Sequence, residues 1–435
     1  MNKLKLIIIL IGGIIIAGLI SLIVIKVRKQ DNLTPEIENP SPIQNPTEVN
    51  ETNEFDYKMI RMVNSEYKDN YMISPLSIAY ALSILNEGAK DNTKVQIDKV
   101  LNNYKLVKNV NVKNRISLAN GLFIRNIYKN DISNNYINTL KNNYFSDILF
   151  DEFNTPKVLN DWVNDKTYKM IPKVTDSLSK DFVLAIANAI AIDVEWKHKF
   201  ECLNTKRADF TKKDNTKMDA SMMHSYNDVA YLENKNAKGI IKDYAIYDKE
   251  TGNIVHEENE NTVSLQYIAI LPNASIDEYI NKLDKIELNN LINTKKYADS
   301  NLDINLSLPK YTYDFDYETF KNALIKMGIT DVFDENSSNL RNMLNDDSIL
   351  NLYVDKAIHK SHIELSENGT KAAAVTAFIV NKASSIPMHK ETINIKFDRP
   401  FIYLIKEKNS DNIWFFGTVY EPMKYENDKS SCKIN

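Results

Sequence analysis

Residues 6–25 are twenty consecutive amino acids without a charged side chain. Wound as a helix at 1.5 Å per residue, a run of that length spans about 30 Å, the hydrocarbon thickness of a bilayer. Lys3 and Lys5 precede it, and Lys26, Arg28 and Lys29 follow. A cleavable signal peptide has a shorter apolar core and a small-residue cleavage site. No such site follows Ile25, and no lipobox-type cysteine is present. The expectation is therefore an uncleaved membrane anchor within residues 1–29, in contact with the membrane through residues 6–25. Secretion after cleavage is the alternative. The flanking positive charges nearly balance, so they do not orient the anchor. Gly13, Ala17 and Ser21 would line one face of this helix as ordinary small residues.

The next segment, residues 30–54, is polar and carries Pro35, Pro40, Pro42 and Pro46. It reads as an extended, flexible stalk. A large domain is expected over residues 55–425, followed by a polar tail over 426–435. The chain has 435 residues, 43% of them hydrophobic, which is enough for one large core or two ordinary ones. A net charge of −4 with interspersed signs gives no footprint for nucleic acid. Two cysteines, Cys202 and Cys432, make neither a disulfide framework nor a zinc site, and whether they pair is open. No Gly-x-Ser-x-Gly, His-Glu-x-x-His or phosphate-cradling glycine loop occurs. His359 and His362 would lie on opposite faces of a strand, an arrangement unsuited to a metal. The sequence gives no sign of an enzyme, a metal site or a cofactor.

Helices are expected early. Ser74 starts one with Pro75 at its first position, and Ile78, Ala81, Leu82 and Leu85 share a face. Thr93 and Gln96 suit a capping box for the helix holding Val95, Ile97 and Leu101. Strand-like runs fall at 117–125, 182–195, 263–271, 302–309, 392–397, 400–406 and 412–420. Residues 244–262 read as an exposed hairpin extension. Helices first and strands later indicate α+β architecture.

Residues 367–380 read as a strand held in reserve. Extended, the segment would present Thr370, Ala372, Ala374, Thr376, Phe378 and Val380 on one face. The first four are small, the last two apolar, and none is charged. Lys371 falls on the opposite face. Gly369 supplies a hinge. Alanine favours helix, but Val375, Thr376, Ile379 and Val380 are β-branched and oppose it.

Several dispersed motifs resemble the serpins. Glu367-Asn368-Gly369-Thr370-Lys371-Ala372-Ala373-Ala374 is similar to the hinge of inhibitory members. Ile395-Lys396-Phe397-Asp398-Arg399-Pro400-Phe401-Ile402-Tyr403 is similar to the signature after the reactive loop. Ser74-Pro75-Leu76-Ser77 with Gly88-Ala89 and Thr93, Asn188-Ala189-Ile190 with Trp196 and Phe200, Leu308-Pro309-Lys310, and Ala357-Ile358-His359-Lys360 complete a set in the family's order. The resemblance covers residues 55–425.

It implies a serpin fold of bacterial type: helices around a large, mostly antiparallel central sheet, smaller sheets, and an exposed reactive-centre loop. It implies a protease inhibitor that traps serine, and in some members cysteine, proteases by inserting the cut loop into the sheet. A non-inhibitory carrier or binding module is the alternative. Counting from the hinge puts the scissile bond at Ala383–Ser384, which suits elastase-like or subtilisin-like targets. Lys382, one residue earlier, would suit trypsin-like ones. The hinge comprises Glu367, Gly369, Thr370, Ala372, Ala373 and Ala374. Glu367 would pair with Lys310 beside Trp196, where the loop enters the sheet. Ser74, Ser77, Asn188 and His359 would cluster beneath the opening strands. The resemblance further implies a monomer whose partner is the target protease, with the domain outside the cell.

Overall fold

The computed structural model describes residues 16–27, 54–108, 110–369 and 390–426. The expected stalk up to residue 53, the hinge residues Thr370, Ala372, Ala373 and Ala374, the Lys382, Ala383 and Ser384 positions, and the tail with Cys432 lie outside these.

The dominant element is a six-stranded sheet. Its strands, in spatial order, are Tyr311–Asp316, Leu352–Leu365, Ile16–Val27, Phe182–Asp193, Ile116–Arg125 and Asp147–Asp151. All neighbours are antiparallel except the last pair. The strand Phe182–Asp193 is buried along almost its whole length because both faces of the sheet are covered, which explains its unbroken apolar sequence. A second six-stranded sheet packs nearby and contains Leu265–Pro272, Phe401–Glu407 and Ile413–Val419. A four-stranded sheet holds Glu391–Lys396, Leu302–Pro309, Lys217–Tyr226 and Lys206–Thr211. Residues 244–262 contribute to a small three-stranded hairpin sheet, Ile246–Asp248, Ile254–Val255 and Thr262–Val263, but the expected exposure is corrected over Tyr244, Ala245, Ile246 and Tyr247, which are buried against the core.

Helix Pro75–Gly88 begins where Ser74 and Pro75 place it. The Ser74 hydroxyl accepts from the Ser77 amide, and Pro75 lacks the N–H that would otherwise be unsatisfied. The helix is buried nearly all round and lies beneath the central sheet. The capping box expected at Thr93 is not formed. The helix starts earlier, at Asp91, so Thr93 sits inside the first turn and accepts instead from the Asn339 amide. Gln96 reaches across to Thr330 and Asp331.

The expected membrane helix is corrected over residues 16–25; residues 6–15 of that run lie outside the described residues. Residues 16–27 form a strand in the middle of the central sheet. Among the described residues no helix is long and apolar enough to cross a membrane. The physical reason is that a charge-free run suits a doubly covered strand as well as it suits a bilayer. Ile16, Ile20, Ile23, Val24 and Ile25 are β-branched and favour the extended form.

Candidate functional site: the central slot and the entry of the loop

The strand Leu352–Leu365 runs up to the point where the expected reactive loop departs. Past Leu365 the chain turns through Ser366, Glu367 and Asn368 to Gly369, which makes an antiparallel bridge with Glu195. The amide of Trp196 donates to the Asn368 carbonyl at 3.3 Å, and the amide of Phe200 donates to the Glu367 carbonyl at 2.9 Å. Gly369 has φ +78°, and a Cβ there would stand 2.3 Å from the Trp196 nitrogen. Only glycine fits this conformation and this approach.

Glu367 is anchored twice. One carboxylate oxygen meets Lys310 Nζ at 2.9 Å, and the other accepts from the Thr205 hydroxyl at 2.7 Å. Its side chain is 8% exposed and that of Lys310 18%. The pair thus lies between an exposed pair, worth about 0–1 kcal/mol, and a fully buried one. Trp196 is buried beside them. Its indole N–H donates to the Ser366 carbonyl at 3.0 Å, and its ring stacks on Tyr244 at 4.5 Å. Lys242, paired with Asp228, lies 4.5 Å above the Phe200 ring and 5.6 Å from that of Trp196. Burial lowers the pKa of this lysine, and Asp228 opposes the shift. The three residues expected at the entry point, Glu367, Lys310 and Trp196, therefore meet in one place. Thr205, Tyr244 and Lys242 join them and had no distinguishing mark in the sequence.

Below this entry lies the strand position between Leu352–Leu365 and Phe182–Asp193, filled by Ile16–Val27. Ser21 stands opposite His359 on one side and Asn188 on the other. Its hydroxyl lies 2.8 Å from His359 Nδ1 and accepts from Ser77 Oγ at 3.2 Å. The Ser74 amide donates to His359 Nε2 at 3.4 Å, which leaves Nδ1 as the protonated nitrogen. Complete burial lowers the His359 pKa to about 3, so the ring is neutral. Ser74, Ser77 and His359 thus come together, and Ser21 bonds two of them, Ser77 and His359. Asn188 sits across the slot and bonds a different partner, donating to Asn120 Oδ1 at 2.8 Å. Asn120 went unassigned, and Ser21 was read only as a small residue on one face of the expected helix. Ser21 did carry a signal: it is the one hydroxyl in residues 6–25.

His362, three residues from His359, points to the other face and meets Asp314 at 2.7 Å. Among the described residues no three potential metal ligands cluster. Cys202 is disulfide-bonded.

The family model described as "Serpin (serine protease inhibitor)" matches residues 50–422. An uncharacterized serpin-like protein of Methanosarcina acetivorans is 27% identical over 401 residues, covering 85% of this chain and 86% of its own. The leukocyte elastase inhibitor of Xenopus tropicalis is 27% identical over 392 residues, covering 85% and 97%. Among solved structures, the thermophilic serpin Tengpin in its native state superposes with a TM-score of 0.67 at 27% identity, covering 86% of this chain and 96% of its own. The motif order, the central sheet and these matches together make the chain a member of the serpin family.

Proposed function

We propose that the chain is an irreversible, suicide-substrate inhibitor of serine proteases. The loop after Gly369 offers a bait peptide bond. The protease serine attacks it and forms an acyl-enzyme. The cut loop then adds to the central sheet as a strand and carries the bound protease with it. The reading rests on one observation above the others. Gly369 is already paired with Glu195 at the head of the central slot, and the residues that follow would, if extended, put Thr370, Ala372, Ala374 and Thr376 on one small, uncharged face. Ala383–Ser384 remains the proposed bond, with elastase-like or subtilisin-like targets, and Lys382 with trypsin-like ones. The disulfide at Cys202 favours an oxidising setting, and hence a place outside the cell.

The test is to mix the chain with a panel of serine proteases, run denaturing gels and sequence the released peptide. A covalent complex and a peptide beginning at Ser384 are expected from any form of the chain whose central slot is open to the loop. Cleavage of the loop without any complex, by every protease and in every form of the chain, overturns the reading.

The filled slot favours a second reading, a non-inhibitory serpin that acts as a binding module. A chain whose central strand position is permanently taken has no room for its loop.

A further inference from the structure

We propose that residues 16–27 are a built-in competitor of the reactive loop. They cap the central slot so that the intact chain cannot insert its loop until the segment leaves.

The segment is paired on both sides, from Ala17–Ile363 to Val27–Leu352 and from Ile16–Asp193 to Lys26–Phe182. Both flanking strands are thereby used, so the slot holds one occupant at a time. The side chains fit with a period of two. Ile23 and Ile25 enter the core shared with helix Pro75–Gly88, while Ile20, Leu22 and Val24 pack on the opposite side with Trp162 and Val163. Lys26 closes the lower end with an ion pair to Asp355 at 3.1 Å.

The segment also matches the loop position by position. Residues 16–27 run down the slot antiparallel to Phe182–Asp193, and an inserted loop would run the same way. Counting on from the Gly369–Glu195 bridge, an inserted loop would place Ala372 opposite Ile192, Ala373 opposite Ala191 and Thr376 opposite Asn188. Those partners are now held by Ala17, Gly18 and Ser21. Small residues stand for small residues, and one hydroxyl for another beside His359. At one position the match needs an adjustment: the Cβ that Ala373 would bring to the Gly18 position would meet Met170 Sδ at 2.8 Å, so that flexible side chain would have to shift. The connection permits exchange. Residues 28–53 can extend to roughly 90 Å, about twice the length of the strand, so the segment can leave while tethered. The tether also keeps it at an effective concentration of roughly millimolar.

The competition is tested without reference to any protease, so its failure is separable from failure of the inhibitory reading. A specific cleavage site is placed at residues 38–44 of the full chain, cut, and the product passed through size exclusion. The N-terminal fragment should stay with the domain. Its elution alone, or with added detergent micelles or vesicles, overturns the proposal. A second measurement uses a synthetic peptide with the sequence of residues 370–380, followed by native mass spectrometry. The wild-type chain should take up none. The Ile20→Asp/Leu22→Asp double variant should take up one equivalent, at a rate higher by about 100-fold or more, because two buried charges expel the segment. Equal uptake by the two chains overturns the cap. Trapping of proteases is then scored in the same two chains. A cap confirmed by fragment retention and peptide uptake, with no trapping in the double variant, would condemn the inhibitor reading alone.

Discussion

Residues 16–27 and the segment that begins at Gly369 are two candidates for one strand position, and they are built differently. The N-terminal segment is rich in Ile, Leu and Val. Five of its side chains, Ile20, Leu22, Ile23, Val24 and Ile25, are buried, each worth about 1.5–3 kcal/mol relative to exposure. The loop segment leads with Thr370, Ala372 and Ala374, which bury little but can enter without forcing the sheet wide open. One occupant is suited to staying and the other to arriving quickly. A sheet that must wait for a protease needs the second property in its loop, and a plug that holds the slot until released needs the first.

The largest expected effect separates a filled slot from an open one. In the wild-type chain, nicking the loop should leave the melting temperature unchanged, because no strand can be added. In the Ile20→Asp/Leu22→Asp variant the nicked form should gain about ten ladder hydrogen bonds, on the order of 10 kcal/mol. That corresponds to a rise of about 10–15 °C in a domain of this size. Scanning calorimetry of intact and nicked samples decides it, and equal melting in the variant would remove the spring from the mechanism.

Next comes the entry point. Glu367→Ala strands the partly buried Lys310 ammonium and the Thr205 hydroxyl. A loss of about 2–3 kcal/mol is expected, below the cost of breaking a fully buried pair. Denaturant melts read it directly. A change within error would mean that the pair behaves as a surface contact despite its burial.

Beneath the slot, His359 is neutral in the fold, with a pKa lowered to about 3 by burial, against an ordinary value of 6.5. The unfolded chain takes up the proton first. The stability this histidine contributes is therefore complete above pH 6.5 and lost as pH falls toward 3. The slope is about 1.4 kcal/mol per pH unit, or about 2 kcal/mol by pH 5. Asp56 acts in the opposite sense. Burial raises its pKa from 3.8 to about 8, so its contribution is lost as pH rises through that interval. The two nearly cancel between their ordinary values. His359→Gln should uncover the Asp56 slope, with stability falling as pH rises from 4 to 8. If the variant and the wild type show parallel pH profiles of unfolding, His359 is not buried and neutral.

Much of this molecule was legible in the sequence, and the gaps have physical causes. Phe182–Asp193 announced itself because a strand covered on both faces must be continuously apolar. Helix Pro75–Gly88 was readable from its cap. Leu352–Leu365 was hidden by a slip in its own alternation. The pairing skips Asp355 as a bulge, so buried residues change parity between Val354 and Ala357. Lys206–Thr211 and Lys217–Tyr226 were hidden by charge: they are joined by cross-strand pairs such as Lys217–Asp209 and Arg207–Asp219, which look like loop in one dimension. At the loop entry, the motif residues Glu367, Lys310 and Trp196 could be named, but Thr205, Tyr244 and Lys242 have no local pattern, because they reach the site from two segments distant in sequence, the turn after Asn204 and the end of strand Ala237–Asp243. Residues 16–25 were misassigned because hydropathy measures the need to leave water and not the destination.

Ser21 carries the smallest expected effect and the sharpest reading of that destination. Ser21→Ala removes one oxygen that faces both the His359 Nδ1 proton and the Ser77 hydroxyl. The Ser77 hydroxyl can rotate, but the imidazole N–H is left buried without an acceptor. If the segment occupies the slot, the variant should lose about 1–2 kcal/mol and take up the loop peptide faster than wild type. If the segment lies elsewhere, a serine in an apolar stretch touches neither group, and the substitution changes nothing in the domain. Urea melts of the full chain resolve a difference of that size. A double mutant with His359→Gln then fixes its origin: coupled effects place Ser21 against the histidine, whereas additive ones separate the two.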